Sequence, residues 1–136
     1  MPVSLRRTPD GRRIDVARTV RAPAGRAWDL LRDPERWPEW GPGVAAVDCP
    51  ADRIRRGTEG RVRVVGLGAW VSFRITACEE RRWAWRVAGV PATGHRVEPR
   101  DEGRSTVAVE VPPAAAPYVP VCRRALSRFA ALAEGR

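Results

Sequence analysis

His95 is the only histidine among 136 residues, and so the one side chain whose ordinary pKa suits acid–base work near neutrality. It falls in the segment Thr93-Gly94-His95-Arg96-Val97, where strand spacing puts Val97 on its side and could aim both into an apolar interior. A single histidine on such a face is more often a packed core residue than a catalyst, and it excludes a multi-histidine metal site. Cys49, Cys78 and Cys122 are far apart and odd in number, which fits neither metal-ligand spacing nor a disulfide framework and suits small buried hydrophobes in a reducing compartment. The adjacent carboxylates, Glu79-Glu80 and Asp101-Glu102, sit in hairpin turns and read as solvated. Ser4, Ser72, Ser105 and Ser127 have no nucleophile-elbow context, and Gly66-Leu67-Gly68 reads as a hairpin because no helix follows it. No metal and no cofactor are expected.

Aromatic residues are the other chemical resource. Six tryptophans are present; Trp28, Trp37 and Trp40 crowd into Pro23 to Val44, and Trp70, Phe73, Trp83 and Trp85 lie on later strand-like runs. Together with Tyr118 they offer area for a flat apolar ligand. The bland alternative is that each fills the core.

The elements that must position these groups follow from period and punctuation. Residues 1–11, polar and broken by Pro2 and Pro9, read as a flexible N-terminal tail. Residues 12–136 read as one domain, a size that buries about two-thirds of the unfolded surface. Arg12 to Arg21 alternates as a first strand. Pro23 then suits a helix start, Ala27, Trp28, Leu30 and Leu31 fall at helical spacing, and Pro34 stops that helix before a second short turn over Glu35 to Trp40. Gly41-Pro42-Gly43 releases a strand from Val44 to Cys49. Strands follow over Arg61 to Val65, Ala69 to Cys78, Arg81 to Ala88, His95 to Arg100 and Ser105 to Val111, with a longer loop over Gly89 to Gly94. From Pro117 to Glu134 the period turns helical, and Val119, Cys122, Leu126, Phe129, Ala130 and Ala133 form one stripe. On the sheet, parity puts Phe73, Trp85 and Val109 on the apolar face and Ser72, Arg74 and Arg86 on the wet one.

The net charge of +9 comes from 25 basic residues, all of them arginine. They are scattered in pairs over the chain rather than gathered on one face, which argues against a nucleic-acid surface and for solvated arginines. No run approaches the roughly 20 apolar residues of a membrane span, and the arginines of the N-terminus precede no apolar signal core. The cytoplasm is the default compartment. Monomer and homodimer both remain open.

In this order the chain resembles the START-like superfamily, also labelled SRPBCC, and within it the polyketide cyclase/dehydrase and lipid-transport group. The likeness rests on ARTVRAPAGRAWDLLRDPERWPEW, GPGV, EGRVRVV, RRWAWRV, TGHRVEP and GRSTVAVEV, and it runs from about Ile14 to Glu134. It implies an α+β helix-grip fold: a curved antiparallel sheet of about seven strands around a long C-terminal helix, with two short helices after the first strand and a hydrophobic cavity between sheet and helix. On that fold the expected ligand-binding set is Trp40, Phe73, Trp83, Trp85, His95, Val109, Tyr118 and Cys122. Trp28 would anchor the helical wedge in the core, with Trp37 and Trp40 at the ligand entrance. The expected function is binding of a small hydrophobic molecule, aromatic, polyketide-like or lipid. The alternative is a cyclase or dehydratase that polarises a carbonyl with His95 and one arginine.

Overall fold

The computed structural model describes residues 2–135. Eight strands form one antiparallel sheet: β1 (Val3–Thr8), β2 (Gly11–Val20), β3 (Val44–Asp48), β4 (Glu59–Val64), β5 (Trp70–Glu79), β6 (Arg82–Val87), β7 (Val90–Asp101) and β8 (Arg104–Val111). Their order is β1-β2-β8-β7-β6-β5-β4-β3, so the first long strand, β2, pairs with the last, β8. Helices α1 (Ala24–Leu31) and α2 (Trp37–Trp40) follow β2, and α3 (Val119–Ala133) lies across the concave face. The α+β helix-grip architecture is therefore present, with one strand more than expected.

The extra strand comes from the expected tail. Val3 to Thr8 pairs residue for residue with Val16 to Gly11, because alternation continues through the arginines and Pro9-Asp10 makes a tight reversal into Gly11, which opens β2 at φ 107°. The expected loop over Gly89 to Gly94 is likewise strand. Ala88-Gly89, both at positive φ, completes the reversal, and β7 begins at once. Glu80-Arg81 makes a similar two-residue turn between β5 and β6, with φ of 51° and 60°.

The concave face supplies the core. Val16, Val20, Ile75, Val107 and Val111 are fully buried against Cys122, Leu126, Phe129 and Ala130 of α3, the stripe expected from helical spacing. In the wedge, Ala24, Ala27 and Leu31 are the buried face of α1, and Asp33 caps the next turn by accepting from the Glu35 amide at 3.1 Å. Trp37 and Trp40 are buried, whereas Trp28 is only half-buried, with Arg32 over its ring at 5.7 Å. The expected anchor is thus replaced: Ala27 and Leu31 point inward, which turns Trp28 toward the flank, and Trp37 is the anchor.

The convex face is not uniformly wet. Asp15, Arg96, Thr106 and Glu110 are buried there. Arg96 pairs with both oxygens of Asp15 and with Glu98 at 2.9 Å and Glu110 at 3.2 Å, while Arg82 grips Glu110 at 2.8 and 3.0 Å and Asp10 at 2.7 Å. Buried charges need such partners.

One close approach marks the far edge of the sheet. A Cβ on Gly60 would stand 2.7 Å from the Asp48 carbonyl and 2.8 Å from the Phe73 ring, and neither can yield. Gly60→Ala should therefore lower unfolding free energy by about 1–3 kcal/mol. Urea denaturation checks it, and an unchanged midpoint would mean β3 and β4 are looser than this.

Candidate functional site

A cavity of about 60 Å³ lies between the sheet and α3. Its walls are Trp83 and Trp85 of β6, Thr93 and His95 of β7, Val109 of β8, Trp37 and Trp40 of α2, and Cys122 and Ala125 of α3. Gly41-Pro42-Gly43-Val44, Tyr118 and Val121 form its rim. Seven of the eight expected residues, Trp40, Trp83, Trp85, His95, Val109, Tyr118 and Cys122, come together here. Phe73 does not line the space. It backs the wall, tilted against Trp37 and Trp85 with ring centres 5.5 Å from each.

The other sequence candidates lie elsewhere. Ser72, Arg74 and Arg86 are exposed on the opposite face, where Arg74 pairs with Glu59 at 3.2 Å and Arg86 bonds the Gly89 carbonyl at 2.9 Å. No arginine lines the cavity among the described residues. Trp70 is also exposed, at the far end of β5, beneath the guanidinium groups of Arg61 and Arg63.

Thr93 is a residue that sequence reasoning missed, and Trp37, expected at the entrance, is a buried part of the wall. Thr93 was hidden by reading its segment as loop, although its i, i+2 relation to His95 carries the strand period. Its hydroxyl accepts from Trp85 Nε1 at 3.1 Å and lies 3.0 Å from His95 Nε2. A hydroxyl has one proton to give. The indole uses one of the hydroxyl's two acceptor positions, and the Thr93–His95 bond runs in the direction set by the imidazole tautomer. Trp37 Nε1 is likewise satisfied, by the Leu31 carbonyl at 3.1 Å.

Three polar atoms on these walls have no hydrogen-bond partner among the described residues: Trp40 Nε1, Trp83 Nε1 and His95 Nδ1. Their rings are neighbours. Trp83 stacks on His95 with centres 3.9 Å apart and planes at 21°, and Trp40 meets His95 edge-on at 6.3 Å. Buried indole donors without acceptors are costly, and both of these belong to residues that line the cavity.

The electrostatics fix what His95 can do. Burial drives its pKa from 6.5 to about 3, opposed by the Trp83 backbone and reinforced by the Arg82 cation behind the sheet. Burial similarly pushes the Cys122 thiol up to about 12, which makes it an inert hydrophobe rather than a nucleophile. His95 is therefore neutral at physiological pH. Because the unfolded chain binds the proton first, stability is fully present above about pH 6.5 and falls as pH drops toward 3, by up to about 1.4 kcal/mol per unit. The lone imidazole makes the check unambiguous: its NMR signals should show no titration between pH 5 and 8, and a midpoint near 6.5 would contradict the burial.

The family described as "Polyketide cyclase / dehydrase and lipid transport" matches residues 12–134. No curated protein matches the chain. Among solved structures, the Zhui aromatase/cyclase from Streptomyces sp. R1128 is 17% identical, with 90% of this chain and 93% of that one covered at a TM-score of 0.69. Protein CV1439 from Chromobacterium violaceum is 22% identical over 89% and 96%, at 0.61. Ara h 8.0201 is 15% identical over 90% and 97%, at 0.62. At these identities the likeness is one of fold. With its sheet, its gripping helix and a family match over nearly its whole length, the chain belongs to the polyketide cyclase/dehydrase and lipid-transport family.

Proposed function

We propose that the protein binds a small aromatic or otherwise hydrophobic molecule bearing an acceptor oxygen, such as a ketone or phenol, between the sheet and α3. The observation that carries this reading is the pair of buried indole N–H groups without partners, on Trp40 and Trp83, beside the unpartnered His95 Nδ1, on residues that line one apolar cavity. A hydrocarbon would leave them unpaired, whereas a carbonyl oxygen would accept from them.

Size sets a second condition. A cavity of about 60 Å³ holds roughly two waters at about 30 Å³ each, well below the ~150 Å³ that admits benzene. A ring-sized guest therefore enters as the rim moves outward. The rim suits this: Pro113–Tyr118 is a 3-10 segment without a buried residue and with a non-helical break at Ala115.

The test is a matched pair, acetophenone and α-methylstyrene, which differ by C=O against C=CH2. Saturable quenching of tryptophan emission by both, with acetophenone at least tenfold tighter, is the expected result; tenfold is about 1.4 kcal/mol, the net worth of one good hydrogen bond. Absence of quenching by either would sink the reading.

A second reading, a cyclase or dehydratase, draws on the same donors, because N–H groups that bind a carbonyl also polarise it. It loses its expected arginine, since Arg74 and Arg86 are on the other face, and its general acid–base, since His95 stays neutral. Conversion of a poly-ketone substrate, abolished in His95→Phe, would favour it over simple binding.

A further inference from the structure

Strand β1 closes one side of the sheet, and Val3 to Arg7 are all exposed. Which of its backbone groups are free follows from one contact. The Ala17 amide donates to the Pro2 carbonyl at 3.1 Å, and the register that sets Val3 against Val16 sets Pro2 against Ala17. Bonded and unbonded pairs alternate along an antiparallel ladder. Val3, Leu5 and Arg7 are therefore unbonded to β2 and turn their N–H and C=O groups to the open edge. Their side chains lie on the same side as Ile14 and Val16, and Val3 and Leu5 are 41% and 66% exposed.

Charge at this edge is one-sided and incompletely matched. Arg6 stands opposite Arg13 and Arg7 opposite Arg12, and no Asp or Glu lies within residues 2–9 or 11–14. The carboxylates of the region are committed: Glu98 holds Arg6 at 3.3 Å, Asp10 holds Arg82 at 2.7 Å, and Asp15 holds Arg96. Arg7 and Arg12 form an unbonded pair, the closest cross-strand spacing. Among the described residues neither side chain has a hydrogen bond or ion pair. Like charges so placed are destabilising unless an anion joins them.

Free ladder groups in steps of two, aliphatic side chains and unmatched cations at one end together describe a template for an extended chain of opposite charge. Strand addition to an open edge takes its affinity from main-chain bonds and its selectivity from alternate side chains. Arginines on an edge ordinarily keep other strands away; they repel a second copy of this one and attract an acidic one. A nucleic acid would answer the cations but has no alternating N–H and C=O groups to offer Val3 and Leu5.

We propose that β1 is a docking edge for an extended acidic segment of a partner protein, which adds to the sheet as a further antiparallel strand. A carboxylate opposite Arg7 bridges the Arg7–Arg12 pair, and aliphatic side chains at the following alternate positions lie beside Leu5 and Val3.

Fluorescence anisotropy with the full chain and a labelled peptide, EEEVTVT, tests this. Antiparallel addition sets its second Glu opposite Arg7, its first Val opposite Leu5 and its second Val opposite Val3. It should bind at least tenfold more tightly than KKKVTVT, and salt should weaken it. N-methylation of the first Val, whose amide bonds Leu5, should cost at least tenfold. The same change on the first Thr, opposite Ser4 with its amide turned away, should cost less than threefold. Arg7→Glu with Arg12→Glu should weaken binding at least tenfold. Arg61→Glu with Arg63→Glu makes the same charge change on β4, at the far side of the sheet, and should alter binding less than threefold. All four positions are exposed, unfolding curves verify that the variants fold, and the peptide comparisons need no variant. No binding, binding indifferent to the methylated position, or equal loss from the β4 pair would overturn the proposal. So would self-association of the chain that EEEVTVT does not reverse.

Discussion

Trp37→Ala is expected to lower unfolding free energy by about 3–5 kcal/mol, the cost of removing a large aromatic from a packed core. Trp37 is 2% exposed and is the hub of the aromatic cluster: it stacks on Trp83 with centres 5.1 Å apart and planes at 12°, meets Trp85 edge-on at 5.3 Å, and touches Phe73 at 5.5 Å. Its Nε1 also holds the end of α1 through Leu31. Deleting it detaches the wedge from the sheet, and with native stabilities of about 5–15 kcal/mol the loss is a large fraction of the whole. Trp28→Ala, on the flank of α1, should cost about 1 kcal/mol. Urea unfolding of both variants checks the contrast. A larger loss for Trp28 would restore it as the anchor.

Arg96→Met should be comparably severe, about 3–5 kcal/mol, because it strands charges rather than contacts. Asp15 and Glu110 are 5% and 1% exposed on the convex face, and Arg96 is the cation between them. Replacing Asp15, Arg96 and Glu110 together by Leu, Met and Leu should cost less than the single change, since no buried carboxylate is left without its cation and Arg82 keeps Asp10. A triple variant weaker than Arg96→Met would show the cluster to be a net source of stability. Glu98 adds a pH signature. The Arg96 guanidinium holds its carboxyl below the ordinary 4.5, so its contribution is present above that value and is lost as pH falls through the lowered pKa. The Arg96→Met variant should lack this acid-side dependence.

These two effects mark where the sequence was and was not readable. The period of Val107, Val109 and Val111, and the stripe from Cys122 to Ala133, are properties of single segments, so the sheet's inner face and α3 could be read directly, and with them most of the cavity wall. The anchor could not be. Trp28 and Trp37 have the same composition around them, and which one turns inward depends on the angle at which α1 meets the sheet. The Asp15–Arg96–Glu110 cluster joins residues 81 and 14 positions apart, and an arginine on a strand's polar face looks the same in sequence whether water or carboxylates meet it. Edge strand β1 was missed because Pro2 and Pro9, which frame it, imitate a disordered tail; at a sheet edge proline needs no ladder partner. Thr93 was lost with the misread loop, and with it the hydrogen-bond partner of His95 Nε2.

The central claim is that a ligand occupies the space between the sheet and α3, and Ala125→Leu tests it most directly. Ala125 is 8% exposed and lines the cavity, so three added carbons fall into the space without touching the rim or the outer surface. Acetophenone affinity, measured by calorimetry on the wild-type chain and the variant at equal folded fraction, should fall at least tenfold, about 1.4 kcal/mol. An affinity unchanged by the filled cavity would contradict the account and put the ligand elsewhere on the protein.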